Sequence, residues 1–170
     1  MPNYSFRRLR STDFERAYEI VTEVTAWLKS KGIRQWHAPL PREYYEQRHE
    51  RGENYGLFVD GELAAVVSLL AGRPDYWGDV LPEGNFRWLA TLAAGRKYSG
   101  QKLGELAMSE AEHFLEQEGI AEIYLDCVYN TGKLPQFYAS LGYREVLRKD
   151  HVFEWGTFDS VLMTKRLNAP

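Results

Sequence analysis

Apolar and polar residues follow two repeating patterns along this chain, and together they predict seven strands and four helices. Residues 4–9 alternate between apolar and polar, as in a strand with one face in solvent. After Phe14 and after Leu103, apolar residues recur at every third or fourth position, as on one face of a helix. The predicted strands are 4–9, 55–59, 63–70, 86–94, 120–128, 143–147 and 160–167. The predicted helices lie within 12–32, 41–50, 103–119 and 135–142.

Two short motifs mark the ends of predicted elements. Thr12 and Glu15 have the spacing of a capping box at the start of the first helix. The dipeptide Asp60-Gly61 lies between two apolar runs and predicts a hairpin with a type I′ turn, in which both central residues have positive φ.

The order of the predicted elements indicates the fold class. It is β-α-α-β-β-β-α-β-α-β-β, with antiparallel strands first and a β-α-β crossover in the second half. This order predicts an α/β protein with a mixed, mostly antiparallel central sheet, and it disfavours a barrel or a doubly wound sheet. No repeat, low-complexity tract or long linker interrupts residues 1–170, so we expect a single domain.

Composition and charge narrow the classes of function. The 170 residues are 44% hydrophobic and 26% charged, which is typical of a globular protein and excludes a disordered chain. The net charge of −3 disfavours general binding to nucleic acid. The single cysteine, Cys127, excludes an intrachain disulfide, and the four histidines show no metal-ligand spacing, so no metal site is expected. Because no apolar run approaches about 20 residues, we expect no membrane span and a cytoplasmic location.

The stretch 92–104 (LAAGRKYSGQKLG) joins a predicted strand to a predicted helix through a turn that contains glycines. Such a turn exposes backbone N–H groups beside the positive end of a helix, which suits an anion such as a pyrophosphate. A plain strand–turn–helix junction explains the same residues equally well. The stretch does not match a P-loop, because Gln101 stands where the lysine must be, and it lacks the dinucleotide fingerprint.

The same stretch resembles the acetyl-CoA signature of the GNAT family of N-acetyltransferases, a Q/R-x-x-G-x-G/A loop that precedes a helix. Ser99 takes the Q/R place, Lys102 the first glycine and Gly104 the last position, so two of the three depart from the pattern. The departures are compatible with phosphate binding, because backbone N–H groups hold the phosphates and every residue but proline supplies one.

A second stretch, residues 125–143, resembles the family pattern N-x-x-[AL]-x-x-x-Y-x-x-x-G-[FY]. Leu134, Tyr138 and Gly142 fit its spacing, whereas Asn130 lies one residue early and requires a one-residue insertion. The order of strands and helices over residues 4–167 also fits the family.

The resemblance implies a binding site for acetyl-CoA as co-substrate. In this family two neighbouring parallel strands, here those ending near Ala94 and Val128, splay apart after a bulge. The pantetheine arm then pairs with free backbone groups, here at Leu92 and Ala94, and the diphosphate lies on the turn that follows. The cofactor-binding residues so implied are Leu92, Ala94, Ser99, Gly100, Gln101, Lys102, Leu103, Gly104 and Asn130.

The resemblance also implies a general acid. Tyr138 matches the position whose hydroxyl protonates the departing CoA sulfur, and a phenol with a pKa of about 10 is protonated at neutral pH. The acceptor amine must lose a proton before it attacks. The candidate bases are Glu83, Arg87, Asp126, Glu53 and His37, and a water relay is an equal alternative. No covalent enzyme intermediate is expected, because Cys127 has the position of a small buried hydrophobic residue.

The function so predicted is transfer of an acetyl group to a small primary amine in a ternary complex. The acceptor site is expected along residues 33–36, the 72–85 loop with Tyr76 and Trp77, and a 148–159 loop with Phe153 and Trp155. A homodimer is compatible with this prediction. The alternatives are a non-catalytic acyl-CoA-binding or regulatory module, and acetylation of a protein N-terminus or of aminoacyl-tRNA.

Overall fold

A computed structural model describes residues 1–34, 40–130, 132–154 and 156–168. Its seven strands form one sheet in the order β1-β2-β3-β4-β5-β7-β6, and β4 and β5 are the parallel pair among otherwise antiparallel neighbours. The strands are β1 (Tyr4–Arg8), β2 (Asn54–Val59), β3 (Glu62–Leu70), β4 (Phe86–Ala94), β5 (Glu122–Val128), β6 (Arg144–Phe153) and β7 (Gly156–Arg166). The helices in the described ranges are α1 (Phe14–Ser30), α2 (Arg42–Glu50), α3 (Leu103–Gln117) and α4 (Lys133–Ser140). The predicted order of elements and the predicted mixed α/β sheet are confirmed.

The helices cover both faces of the sheet. Alternate residues of a strand point to opposite faces, and neighbouring valines of β3 show this directly. Val66 packs in one apolar cluster with Ile20 of α1 and Tyr45 of α2, whereas Val67 packs in another with Met108 of α3 and Tyr138 of α4. An opening through the sheet therefore connects the face covered by α1 and α2 with the face covered by α3 and α4. No helix within the described ranges has the length and apolar character needed to cross a membrane.

The first helix begins differently from the prediction. Ser11–Asp13 form a short 3₁₀ turn, so the residue at the N-cap of α1 is Asp13 and not Thr12. The Asp13 carboxylate accepts a hydrogen bond from the Arg10 backbone N–H at 2.6 Å and from the Arg7 guanidinium at 2.7 Å. The predicted Thr12 capping box is wrong because the extra turn moves Thr12 away from the helix end. The Asp60-Gly61 turn is confirmed, with φ of 50° and 85°.

The last hairpin is longer than predicted, and the expected 148–159 loop is wrong. Strand β6 continues to Phe153 and β7 starts at Gly156, so most of that segment is paired sheet. Strand β6 lies at the edge of the sheet and is almost entirely exposed. An edge strand in solvent carries charged residues, so it lacks the alternation of apolar residues by which buried strands are recognised.

Gly56 in the buried strand β2 leaves no room for a side chain. A Cβ there would approach Leu9 Cδ2 to 2.7 Å and would overlap Leu63 as well. We expect Gly56→Ala to destabilise the protein by about 1–3 kcal/mol, because two core leucines must move. Urea unfolding measures this as a lower midpoint with an unchanged slope. Gly72→Ala is the control, since its Cβ meets nothing within 4 Å; equal midpoints for the two variants would contradict the prediction.

Candidate active site

Strands β4 and β5 pair only over their first residues. The parallel register runs from Phe86 opposite Glu122 to Trp88 opposite Tyr124. Beyond this point β4 continues to Ala94 and β5 to Val128 without pairing with each other. The two strands therefore open into a V whose inner edges carry backbone groups free to bind something else, as the resemblance predicted.

A bulge in β4 accounts for the opening. Val67 of β3 faces two residues, Thr91 and Leu92, because the register shifts between Val66 and Ser68. Thr91 has a φ of 54°, which costs a residue other than glycine about 1–2 kcal/mol. The Arg48 guanidinium at the end of α2 donates a hydrogen bond to the Thr91 hydroxyl at 2.8 Å and so supports this backbone. Bulges of this kind bend a strand and redirect its side chains.

A cavity of about 620 Å³ lies at the opening and connects both sides of the sheet. Leu134 and Tyr138 of α4 line it on one side, and Arg48 of α2 and Tyr76 line it on the other. Leu92 is part of its wall between them. Two molecules that enter from opposite faces of the sheet can therefore meet inside it.

Tyr138 presents a protonated phenol to this cavity. Its side chain is 7% exposed and packs against Tyr143, with ring centroids 5.9 Å apart. Its hydroxyl makes no hydrogen bond to any described residue. Burial is the main cause that raises the pKa of Tyr138 above its ordinary value, and the neighbouring Cys127 and Asp126 raise it further. The hydroxyl is therefore a proton donor at neutral pH.

Cys127 lines the same cavity as a neutral thiol. It is 6% exposed, and burial is the largest of the causes that raise its pKa to about 12. Only the thiolate is a strong nucleophile, so this residue has no activated sulfur at neutral pH. This agrees with the interpretation of Cys127 as a small buried hydrophobic residue.

Asp126 presents a carboxyl group to the part of the cavity that faces α2. Its Oδ2 accepts hydrogen bonds from the Tyr76 hydroxyl at 2.9 Å and from Trp77 Nε1 at 2.8 Å. Burial raises the pKa of Asp126 to about 6, although both hydrogen bonds oppose this shift. Asp126 follows Leu125 and precedes Cys127, so it points to the face opposite theirs. The result is a carboxylate that is ionised at neutral pH and more basic than an ordinary aspartate.

The other predicted bases are less suited to that role. Glu53 lines the cavity, but its Oε2 is 2.9 Å from the Arg51 guanidinium and its Oε1 accepts a backbone N–H. The Glu83 side chain is 95% exposed and does not line the cavity. Arg87 is a cation that donates to a backbone carbonyl. His37 lies outside the described residues.

The turn between β4 and α3 offers a row of free backbone donors. Within the described ranges, the N–H groups of Gly100 and of residues 102–105 have no hydrogen-bond acceptor. Lys102, at the N-cap of α3, has a φ of 55°, a conformation that glycine adopts without strain. This explains why the acetyl-CoA signature that this stretch resembles has glycine at the position that Lys102 occupies here. Backbone donors clustered at the N-terminus of a helix fit a diphosphate.

The residues predicted to bind the co-substrate occupy three places. Leu92 lines the cavity, and Ala94 ends β4 at the open side of the V. Residues 99–104 form the turn and the start of α3, outside the cavity lining. Asn130 is exposed beyond the end of β5 and does not line the cavity.

The acceptor side differs in part from the prediction. Tyr76 lines the cavity and Trp77 is buried behind it, whereas Ile33 and Arg34 are not in the lining. Residues 35–36 and Trp155 lie outside the described part, and Phe153 packs against Tyr76 at 5.7 Å.

Sequence reasoning missed Arg48 and Thr91. Arg48 stands in a helix in which most residues are polar, so no spacing singled it out. Thr91 is the only hydroxyl residue of an otherwise mostly apolar strand, FRWLATLAA, which was a weak signal. No group of three or more His, Cys, Asp or Glu side chains in the described ranges has the arrangement of a metal site.

Comparison with known proteins agrees with this geometry. The family model of the acetyltransferase (GNAT) family matches residues 17–143. The chain is 33% identical over 156 residues to the uncharacterized N-acetyltransferase YesJ of Bacillus subtilis (strain 168), with 84% of each protein covered.

Two solved structures share the fold. A GNAT-family acetyltransferase from Listeria monocytogenes superposes with a TM-score of 0.82 at 23% identity, covering 96% of this chain and 95% of that one. The ribosomal-protein-S18-alanine N-acetyltransferase of Escherichia coli superposes with a TM-score of 0.72 at 19% identity, covering 99% and 96%. The chain therefore belongs to the acetyltransferase (GNAT) family, and the prediction of an acyl-CoA-dependent N-acetyltransferase is confirmed.

Proposed function

We propose that this chain transfers the acetyl group of acetyl-CoA directly to a small primary amine. The observation that carries the proposal is the cavity through the splayed strands, with Tyr138 on one side and Asp126 on the other. Membership of the family supports the acyl donor, and the two-sided cavity supports a ternary complex in which donor and acceptor approach from opposite faces.

On the donor side, the free backbone edge of β4 at Leu92 and Ala94 suits the amide groups of a pantetheine arm. The diphosphate would lie on the free N–H groups of Gly100 and of residues 102–105. The N–H groups of Ser99 and Gln101, in the same turn, already donate to the carbonyls of Arg96 and Tyr98. Both sites bind through the backbone, so the departures from the family signature at Ser99 and Lys102 leave them intact. The exposed Lys102 side chain adds a positive charge beside this turn.

On the acceptor side, Asp126 takes the proton from the incoming ammonium. Its pKa of about 6 keeps it ionised at neutral pH and brings its basicity closer to that needed for proton transfer. The amine nitrogen then forms a bond to the acetyl carbonyl carbon, the carbon–sulfur bond breaks, and the departing sulfur takes the Tyr138 proton. The new amide nitrogen loses its second proton to water, and water returns a proton to the Tyr138 phenolate and takes the proton from Asp126. A backbone N–H at the bulge would stabilise the developing negative charge on the carbonyl oxygen. No enzyme nucleophile takes part, since Cys127 is a neutral thiol.

Release of free thiol tests this function. We expect the purified chain and acetyl-CoA to release thiol when a small primary amine is added, together with an equal amount of N-acetylated amine measured by mass spectrometry. The matched tertiary amine is the control, because it cannot form a stable amide.

Other outcomes would replace the proposal. Calorimetric binding of acetyl-CoA without thiol release from any amine would identify a non-catalytic binding module. Release only with peptides that have a free N-terminus would identify a protein acetyltransferase.

A further inference from the structure

Three arginines line the acceptor side of the cavity, and they differ in their partners. Arg51 pairs with Glu53 at 2.9 Å, and Arg73 pairs with Glu83 at 3.2 Å. Arg48 donates one hydrogen bond, to the Thr91 hydroxyl. Among the residues that the structure describes, no carboxylate oxygen lies within 4 Å of the Arg48 guanidinium.

Arg48 is also partly withdrawn from water. Its side chain is half-buried, and burial lowers its pKa, although the charge of Glu53 and the hydroxyl of Tyr45 oppose this shift. Glu53 acts on this charge from a distance but forms its ion pair with Arg51, so the half-buried Arg48 guanidinium keeps donors without an anionic acceptor among the described residues. The planar guanidinium fits a carboxylate especially well, because it donates two parallel hydrogen bonds.

We infer that the acceptor amine carries a carboxylate and that the Arg48 guanidinium binds it, an inference that rests on the proposed function. The substrate class is then a small amino acid whose amine and carboxylate are a few bonds apart. Arg48 is anchored to Thr91 on β4, and Asp126 lies on β5, both just beyond the last paired residues of the two strands. Tyr76 lines the same cavity as Arg48 and Asp126, and its hydroxyl donates a hydrogen bond to Asp126 at 2.9 Å. The carboxylate and the amine of one short molecule would therefore face the two sides of the opening.

Matched pairs of substrates test this inference. The probes are free amino acids and their primary carboxamides, with the same side chains. Amidation lowers the pKa of the neighbouring ammonium, so at neutral pH a larger fraction of the amide is free amine. Without recognition of the carboxylate, the amide would therefore react at least as fast as the acid. We expect wild-type kcat/KM to favour the free acid at least 30-fold. Arg48→Met is expected to lower kcat/KM for the acid at least tenfold more than for the amide, mainly through KM, and Arg48→Lys is expected to recover part of the difference.

Two further variants separate recognition from support of the bulge. Thr91→Val removes the acceptor of the Arg48 hydrogen bond and keeps the charge, so it is expected to retain the preference for the acid. Arg144→Met is the control for loss of an exposed arginine outside the cavity. Equal losses for acid and amide in Arg48→Met, reproduced by Thr91→Val, would overturn the inference and assign Arg48 to the bulge alone.

Binding experiments keep this test separate from the test of the proposed function. Calorimetry with the same pairs in the presence of CoA, which has no acetyl group to transfer, is expected to detect binding of the acid to the wild type and not to Arg48→Met. If no amine releases thiol, the proposed function fails, whereas this binding difference still decides the role of Arg48. Thiol release from acids and amides at equal efficiency leaves the function standing and refutes the inference.

Discussion

Asp126→Asn is expected to slow acetyl transfer by about 10²–10⁴-fold, the usual contribution of a general base. Asparagine has nearly the same shape, and its oxygen can still accept the hydrogen bonds from Tyr76 and Trp77 that now reach Oδ2. The loss would therefore reflect the missing proton acceptor and not a collapsed site. Steady-state kinetics with the best amine measure it as a fall in kcat.

The pH dependence gives the same prediction a second readout. In the wild type, kcat/KM is expected to fall as the pH drops through about 6, because a protonated Asp126 cannot accept a proton. In Asp126→Asn the bend near pH 6 is expected to disappear, and kcat/KM should instead rise steadily with pH up to the pKa of the amine itself. A variant with the wild-type rate and the wild-type acid limb would show that a water relay or another group is the base. Glu83→Gln is the control, since it changes an exposed carboxylate outside the cavity.

Asp126→Asn is also expected to stabilise the folded protein at neutral pH. Folding raises the pKa of Asp126 from 3.8 to about 6, so the folded state binds this proton more tightly than the unfolded state. Its contribution to stability is therefore fully present below about pH 3.8 and is lost as the pH rises to about 6. Asparagine has no such loss, and we expect a gain of about 1–3 kcal/mol at pH 8. Urea unfolding at pH 8 and at pH 4 measures the difference, which should shrink strongly at the lower pH. Loss of activity with gain of stability is the usual signature of a functional buried charge.

Tyr138→Phe is expected to lower kcat by about 10²-fold or more, with the KM for acetyl-CoA little changed, because only the proton donor to the departing sulfur is removed. The ring stays in the core cluster of α4, and its hydroxyl has no hydrogen bond to a described residue, so the fold should be kept. Thermal unfolding checks that the variant is as stable as the wild type.

Tyr143→Phe is the matched control for this substitution. Tyr143 is a buried tyrosine of the same cluster that does not line the cavity, so its replacement should leave kcat unchanged. A kcat for Tyr138→Phe within a factor of about two of the wild type would mean that water protonates the leaving sulfur and that Tyr138 serves packing alone.

The sequence by itself was sufficient for the order of elements and for the chemistry of short segments. Strands and helices depend on periodicity within about ten neighbouring residues, and the Asp60-Gly61 turn depends on two. The turn before α3 was recognisable for the same reason, because backbone donors at a helix start are a local property. The exposed strand β6 was truncated in the prediction because a solvated edge strand shows no apolar alternation.

Only the tertiary structure decided which of the candidate groups lie together. The opening of β4 from β5 depends on a bulge opposite Val67 of β3 and on Arg48, which is 43 residues from Thr91 in the chain. The basicity of Asp126 depends on burial and on donors 49 and 50 residues away, Trp77 and Tyr76. Five polar residues were equal candidates for the base in the sequence, since their titration depends on solvent and on distant partners. Desolvation and long-range contacts exist only after the sheet has formed. The pattern of residues therefore predicts the order of strands and helices, whereas the tertiary structure sets the environment and the pKa of each candidate side chain.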